Sequence, residues 1–405
     1  MSSGKIGIWL VGAWGGVSTT VAVGLSSLQK KLSAETGLVS ALPQFAQCDL
    51  ATWDQFIIGG HEVRTTNYAT EANVLFEQSR VFSAHLLEQV APTLSAFDKN
   101  IKPGTLINVG DTIESFAADD AKSHRGETPS VALQRIEADL NAFRNEHDLE
   151  QVIVVNLSST EPGMAEDASG LSWQEVATRL EKNANTTLLA SSLYAVAAMR
   201  AHCAYVNFTP SVGSDLPCLK ELALEQNVLH AGRDGKTGET LLKSVLAPMF
   251  AARNLQVMSW VGHNIFGNMD GKVLDDPINK ATKVHSKDHL LTEIFGYQPQ
   301  SLVSIEYIES LGDWKTAWDH IHFNGFLNTP MTLQLTWQGC DSLLAAPLVL
   351  DLVRFTEREQ RRGGKGVMKH LASFFKSPMD AESPEFAHQF QKLGEWAAKV
   401  TKKAN

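Results

Sequence analysis

No apolar run in the chain approaches the roughly 18 uninterrupted residues that a membrane span requires. Met1 to Lys5 leads directly into a strand pattern, so the sequence predicts a cytosolic, cytoplasmic protein. Cysteine is scarce. Cys48, Cys203, Cys218 and Cys340 lie far apart with no CxxC pair, which excludes a disulfide scaffold and points to buried thiols. Positive charge is also deficient: 35 Lys and Arg stand against 45 Asp and Glu, a formal net charge of −10, with no basic block. Nucleic acid and anionic membrane both need a concentrated positive field, so neither is the expected partner. Internal repeats and low-complexity linkers are missing as well. What remains is a chain of 405 residues, 43% hydrophobic, long enough for two or three domains of about 100–200 residues. A small soluble molecule is the partner its composition suggests.

Lys5 to Gly12 (KIGIWLVG) is a near-continuous apolar run ending in glycine, as a strand buried on both faces of a parallel sheet requires. Similar runs at Gly104 to Gly110, Gln151 to Ser159 and Ala204 to Pro210 are separated by helical stretches, one opened by Thr128-Pro129. Another, opened by a Ser172/Glu175 capping box, is expected to reach about Arg200. This alternation predicts an α/β, doubly wound parallel sheet of the Rossmann type. From about Gly235 the pattern becomes one-sided. In Thr332 to Gln338, Leu333, Leu335 and Trp337 face one way and polar residues the other, which predicts an antiparallel sheet. An apolar helix over Ser342 to Phe355 then returns to the buried style. The expected organisation is a Rossmann domain over 1–235, an inserted α+β domain over 236–338, and a C-terminal part over 339–405 that completes the first domain.

Between the first strand and the first helix stand Gly12, Ala13, Trp14, Gly15, Gly16, Val17 and Ser18. Glycines here allow a tight turn and close backbone approach, so a pyrophosphate can sit on the helix N-terminus. The spacing is GxxGG rather than GxGxxG, and glycines that merely let the helix pack on the strand would read the same way. The second strand is expected at Gly37 to Leu42, flanked by Glu35 and Asp49, with no acid at its end to select NAD over NADP.

His230 to Lys287 is the most informative region. Lys283 and Lys287 lie four apart, which on a helix places two like charges on one face where an anion would offset their repulsion; a solvated face with Asp288 as partner is the plain alternative. His285 and His289 share that spacing, but no third metal ligand follows. Asp275-Asp276 before Pro277 reads as a turn and cap. Lys376, between Phe374-Phe375 and Ser377-Pro378, is either a snorkelling or a functional lysine.

Taken together, HAGRDGKTGETLLKSVLAPMFAARN, WVGHNIFGNMDGKVLDD, SKDHLL, GDWKTAWDHIHFNGFL, DSLLAAPLVLDLVRF and FFKSPMD resemble the myo-inositol-1-phosphate synthase (inositol-3-phosphate synthase) family, especially its shorter archaeal type. The resemblance extends over nearly the whole chain, through GLVSALPQF, NLSSTEP and YVNFTPSVGS. It implies a Rossmann domain built from both ends of the chain, an intervening α+β domain that forms the catalytic cavity, and a homotetramer. It also implies conversion of the sugar phosphate D-glucose 6-phosphate to 1D-myo-inositol 3-phosphate with NAD and no net redox change. Some members use a divalent or monovalent cation near the NAD phosphates, for which this sequence offers no ligand set.

By motif, the resemblance assigns active-site roles to Lys283, Lys287, Lys315 and Lys376, to Asp234, Asp270 and Asp341, and to Asn264, Asn268 and Thr237. For NAD it implies Gly12, Ala13, Gly15, Gly16, Val17 and Ser18, then Gly110 and Ser159 at strand ends, Asn207, Thr209, and Gly232 to Asp234. Gly15-Gly16-Val17-Ser18 departs from the GGNNGS form of the eukaryotic enzymes. Fixed ammonium groups and carboxylates suit chemistry that moves protons through oxygen-centred negative charge. The competing readings are an NAD(P)-dependent dehydrogenase, a cyclase of a related sugar phosphate, and a nucleotide-sensing Rossmann protein without chemistry.

Overall fold

The computed structural model describes residues 4–163, 170–182, 188–268, 271 and 290–402. Its strands are β1 (Lys5–Val11), β2 (Phe56–Glu62), β3 (Ile101–Pro103), β4 (Leu149–Asn156), β5 (Ala204–Asn207), β6 (Leu229–Gly232), β7 (Gln256–Phe266), β8 (Gln300–Tyr307), β9 (Trp314–Asn324), β10 (Pro330–Cys340) and β11 (Gly366–Val367).

Seven of them form one sheet in the order β11-β6-β5-β4-β1-β2-β3, and every pairing is parallel. This is the doubly wound order, with the direction of winding reversing between β1 and β4. A seventh strand comes from the far end of the chain. The near-continuous apolar run of β1 has a simple cause, because each face of the sheet has its own core. Ile6, Ile8 and Leu10 pack with Val21 and Leu25 of helix Gly16–Gln29 and with Val349, Leu352 and Val353 of helix Asp341–Arg361. Trp9 and Val11 point the other way, towards Leu133, Ile136 and Leu140 of helix Pro129–Glu146 and Leu193 and Val196 of helix Ala190–Arg200.

The second sheet has the order β10-β9-β7-β8. Its β10/β9 and β9/β7 pairs are antiparallel, but β7 and β8 run parallel, so the sheet is mixed rather than antiparallel as its alternation predicts. Alternation reports that one face is covered and says nothing about strand direction. The expected facing of β10 holds, with Leu333, Leu335 and Trp337 partly buried and Thr332, Gln334, Thr336 and Gln338 exposed. Trp260, Ile321, Phe323 and Leu333 pack under helix Gly238–Ala252 through Ala247 and Phe250.

Three expectations are corrected. Gly104 to Gly110 is a loop that follows β3, since Asn108 (φ 54°) and Gly110 (φ 85°) adopt left-handed backbone that a strand cannot contain. Gly37 to Leu42 is not the second strand; Val39–Ala41 is a 3₁₀ turn, and the strand beside β1 is Phe56–Glu62, whose apolar run is interrupted by Gly59-Gly60. The helix opened at Ser172 stops at Glu181. Its capping box forms, but Ala190–Arg200 is a separate helix.

Candidate functional site

The C-terminal ends of β1, β4, β5 and β6 converge where the winding of the large sheet reverses. Gly12 follows β1 at φ 79°, and a Cβ there would stand 2.9 Å from Ser158 Cα, so the backbones after β1 and β4 touch only because residue 12 is glycine. Ala13 is buried, and the amides of Gly12 and Ala13 donate to the His61 carbonyl at 2.9 and 3.1 Å. Gly15 is the N-cap of helix Gly16–Gln29 without a side-chain cap, and the first turn carries no acid. The N-terminal amides of that helix are therefore left to an anion. Val17 packs against the core, and the Ser18 hydroxyl turns back to donate to the Gly12 carbonyl at 2.7 Å.

Asn207 ends β5 and braces the loops beside it. Its Oδ1 accepts from Thr209 N at 3.1 Å and Thr209 Oγ1 at 2.8 Å, and its Nδ2 donates to the Ser211 carbonyl at 2.6 Å. Gly232 ends β6 against Asn207, where a Cβ would meet Asn207 Cβ at 3.1 Å. Ser159 lies three residues past β4; Glu161, pushed up to about 7 by burial, accepts from Ser191 N at 2.8 Å and anchors that loop. Gly110 does not end a strand as expected. It precedes the short helix Asp111–Ser115, next to Pro162.

The acid that the sequence reading sought near Glu35 and Asp49 stands elsewhere. Glu62 ends β2, beside the glycine loop, and its Oε2 accepts from Trp14 N at 2.9 Å and from Arg64 Nη2 at 3.2 Å. Finding it required placing the second strand correctly.

A cleft of about 310 Å³ lies between helix Gly238–Ala252 and the small sheet. Thr237, Glu239 and Thr240 line it from the helix, Asn264 and Phe266 from β7, Ile305 from β8, Lys315 from β9, and Lys376 from the segment after β11. Lys376 arrives by pairing with the loop after β6. Its backbone N donates to the Asp234 carbonyl at 2.6 Å, and its Nζ donates to Asp234 Oδ1 at 2.8 Å. Asp234 N in turn donates to the Thr209 carbonyl at 2.9 Å, which links the cleft to the strand ends. Lys315 Nζ stands 4.9 Å from the centre of the Phe266 ring and 3.7 Å from Asp341 Oδ1.

Asp341 and Asn268 are both held by a residue the sequence reading passed over. Asp313 is 3% exposed; its carboxylate accepts from Asn268 Nδ2 at 2.9 Å, Ser342 N at 2.9 Å, Ser342 Oγ at 3.0 Å and Cys340 Sγ at 2.7 Å, and its carbonyl accepts from Asp341 N at 2.9 Å. Burial raises the Asp313 carboxyl above the usual range and Asp341 adds to the rise, opposed by these donors.

The structure thus brings Thr237, Asn264, Lys315 and Lys376 to one cleft, with Asp234 and Asp341 each paired to one of its lysines. Asp270, Lys283 and Lys287, like His285, His289 and Asp275-Asp276, lie outside the described residues. Among the described residues no group of three His, Cys, Asp or Glu side chains is placed to hold a metal ion, and no helix is long and apolar enough to cross a membrane. Glu239, which lines the cleft, and the neighbouring Lys243 and Asp319 are buried polar residues that the sequence reading missed; Glu239 and Lys243, four apart on a helix, look in sequence like a solvent-exposed pair.

A family model described as myo-inositol-1-phosphate synthase, named for NAD binding, matches residues 6–397. The chain is 31% identical to inositol-3-phosphate synthase 1 of Bacteroides thetaiotaomicron, over 96% of this chain and 92% of that protein. It is 30% identical to the human inositol-3-phosphate synthase 1, over 84% of this chain but only 60% of the longer human protein. A crystal structure of inositol-3-phosphate synthase from Caenorhabditis elegans superposes with a TM-score of 0.88 at 23% identity, covering 99% of this chain and 86% of that one. A myo-inositol-1-phosphate synthase-related protein from Thermotoga maritima gives a TM-score of 0.78 at 23% identity, covering 97% and 98%. These two structures carry the same fold.

Proposed function

The chain belongs to the myo-inositol-1-phosphate synthase family, and from that premise we propose that it is an inositol-3-phosphate synthase that cyclises D-glucose 6-phosphate to 1D-myo-inositol 3-phosphate with NAD and no net redox change. The observation that carries the reading is that Lys315, from β9 of the small sheet, and Lys376, from the segment after β11, reach one cleft beside the strand ends of a dinucleotide-type fold. A dehydrogenase needs only the second of these features.

The loop fits NAD. The uncapped helix N-terminus after Gly15 suits a pyrophosphate, and Gly12 lets the loop after β1 pack against Ser158 so that this N-terminus stands at the strand ends. Glu62, at the end of β2, suits the ribose hydroxyls. Asn207, Thr209, Gly232 and Asp234 would line the side towards the cleft. NAD held by these residues would supply a hydride acceptor for C5 of the sugar and a hydride donor at the end. The residues of the chain do the rest. Lys376, its Nζ on Asp234, and Lys315, 3.7 Å from Asp341, supply fixed positive charge for the C5 oxyanion and for the enolate formed when C6 loses a proton. Their carboxylate partners orient them and are placed to take up protons. The amides after Thr237, which caps helix Gly238–Ala252 without a side-chain bond, suit the substrate phosphate. We assign Lys283, Lys287 and Asp270 to the same site by motif alone.

The same reading divides the chain at 235/236 and 338/339 and expects a homotetramer. Supporting the latter, the face of the small sheet turned away from helix Gly238–Ala252 leaves Leu302 52% and Trp318 37% exposed, and the β9–β10 turn leaves Phe326 88% and Leu327 82% exposed. Incubation with glucose 6-phosphate and NAD followed by product identification tests the function. An inositol monophosphate formed at constant NADH is expected. Net accumulation of NADH with an oxidised sugar phosphate would instead identify a dehydrogenase and overturn the reading.

A further inference from the structure

At the wall of the cleft, helix Gly238–Ala252 and β7 meet at a group of buried polar side chains that no step above uses: Glu239 and Asn264, which line the cleft, and Lys243, which pairs with Glu239. Glu239 is 3% exposed, and Lys243 and Asn264 are each 1% exposed. Glu239 Oε1 stands 2.6 Å from Lys243 Nζ, and Glu239 Oε2 accepts from Asn264 Nδ2 at 2.5 Å. The strand makes room for this carboxylate. Gly262 lies two residues before Asn264 and so on the same face of β7, and a Cβ at that position would stand 2.5 Å from Glu239 Oε1.

An amide has two chemically opposite ends, and its neighbours decide which end a ligand meets. A carboxylate paired with an ammonium group only accepts hydrogen bonds, so Asn264 must turn its nitrogen to Glu239. Its oxygen is then the end left over. Among the described residues Asn264 Oδ1 is buried and has no hydrogen-bond partner, although Asn264 lines the cleft. A buried acceptor without a donor is unfavourable unless a ligand supplies one.

We propose that Glu239, backed by Lys243, is a positioning residue that locks the Asn264 amide with its oxygen towards the cleft, where it accepts a hydrogen bond from a hydroxyl group of the polyol substrate. This rests on the cyclase reading for the identity of the substrate. Lys243 offsets the charge of this buried carboxylate at 2.6 Å. Glu239 touches no reacting atom; it selects hydroxyl donors through Asn264 and rejects ligands that present only acceptors there.

The test is a double-mutant cycle on the full-length, NAD-loaded protein, comparing Glu239→Ala, Asn264→Ala and the double variant, with Glu239→Gln as the conservative variant. Two quantities are read: the KM for glucose 6-phosphate, and the calorimetric Kd of D-glucitol 6-phosphate, which cannot cyclise. Glu239→Ala is expected to raise both by roughly tenfold while kcat changes by less than about threefold and NAD affinity is unaltered. The double variant should be within about threefold of Asn264→Ala alone, because both changes remove one interaction. Glu239→Gln has one acceptor where the carboxylate has two; its oxygen is drawn to the Lys243 ammonium and its NH2 faces Asn264, so the Asn264 amide reverses and both quantities should rise as in Glu239→Ala. Losses that multiply, an unchanged KM and Kd in Glu239→Ala, or a Glu239→Gln with the KM and Kd of the unaltered protein would each overturn the proposal. If Glu239→Ala does not fold, Glu239→Met keeps the buried volume and is held to the same outcomes. Failure of the unaltered protein to make inositol phosphate would sink the cyclase reading instead, and the glucitol 6-phosphate cycle would still decide the role of Glu239.

Discussion

Lys376 reaches the cleft with both its backbone and its side chain tied to Asp234, across 142 residues of sequence. Truncating the side chain beyond Cβ leaves the backbone bond in place and removes the ammonium group together with its aliphatic stem. We expect Lys376→Ala to fold and bind NAD normally while losing about two orders of magnitude in kcat, the effect of deleting one donor to a developing oxyanion, about 3 kcal/mol. Steady-state kinetics with a parallel NAD titration check this, and near-normal turnover would remove Lys376 from the chemistry. Glu62 supports a prediction about the cofactor. A carboxylate at the end of β2 accepts from ribose hydroxyls and repels a 2′-phosphate, so NAD should bind at least about tenfold more tightly than NADP, and Glu62→Ala should narrow that gap. Comparative fluorescence titrations with the two reduced cofactors measure it. The lysines were legible because each sits in a distinctive string, GDWK or FFKSP, whereas Glu62 was hidden behind a misplaced strand. Asp313 stood two residues from Lys315 in plain view, but its role lies in four donors gathered from other elements, which no local pattern records.

Among elements, the helix Phe386–Lys402 makes a buried polar contact with Lys236, two residues before helix Gly238–Ala252. Lys236 Nζ donates to Gln389 Oε1 at 2.6 Å, Lys236 is 4% exposed, and burial pushes its ammonium group down to about 8. An unfolded lysine holds its proton to about 10.4. Between about pH 8 and 10.4 the unfolded chain therefore binds one more proton than the folded one, and stability from this group rises with pH; below about 8 the full penalty, about 3 kcal/mol, is present. Lys236→Met should accordingly raise the apparent Tm at pH 7, and its advantage should shrink as the pH approaches 10. Thermal melts at a series of pH values test it, and a pH-independent difference would contradict the assignment. Elements were read well where burial on both faces wrote a continuous apolar run, as in β1, β4 and β5. They were misread where the same composition serves a loop: Gly104 to Gly110 is apolar yet has left-handed backbone at residues 108 and 110. The strand Phe56–Glu62 failed for the opposite reason, since Gly59-Gly60 weakens its apolar signal although β1 packs directly beside it.

For the whole molecule, the exposed Phe326 and Leu327 at the β9–β10 turn and the uncovered face bearing Leu302 and Trp318 set an expectation about assembly. Light scattering coupled to size exclusion should report a homotetramer, and Phe326→Asp with Leu327→Asp should reduce its order or its stability to dilution. A monomer at micromolar concentration in the unaltered protein would contradict this. The large sheet carries a further consequence through β11. Gly366-Val367 pairs with β6 only after more than a hundred further residues, the small sheet among them, have been made. During synthesis β6 is an open edge, with unpaired amides and carbonyls able to recruit another nascent chain. A two-residue strand is thus the last stitch of the large sheet, and until it arrives the β6 edge is open to aggregation on the ribosome.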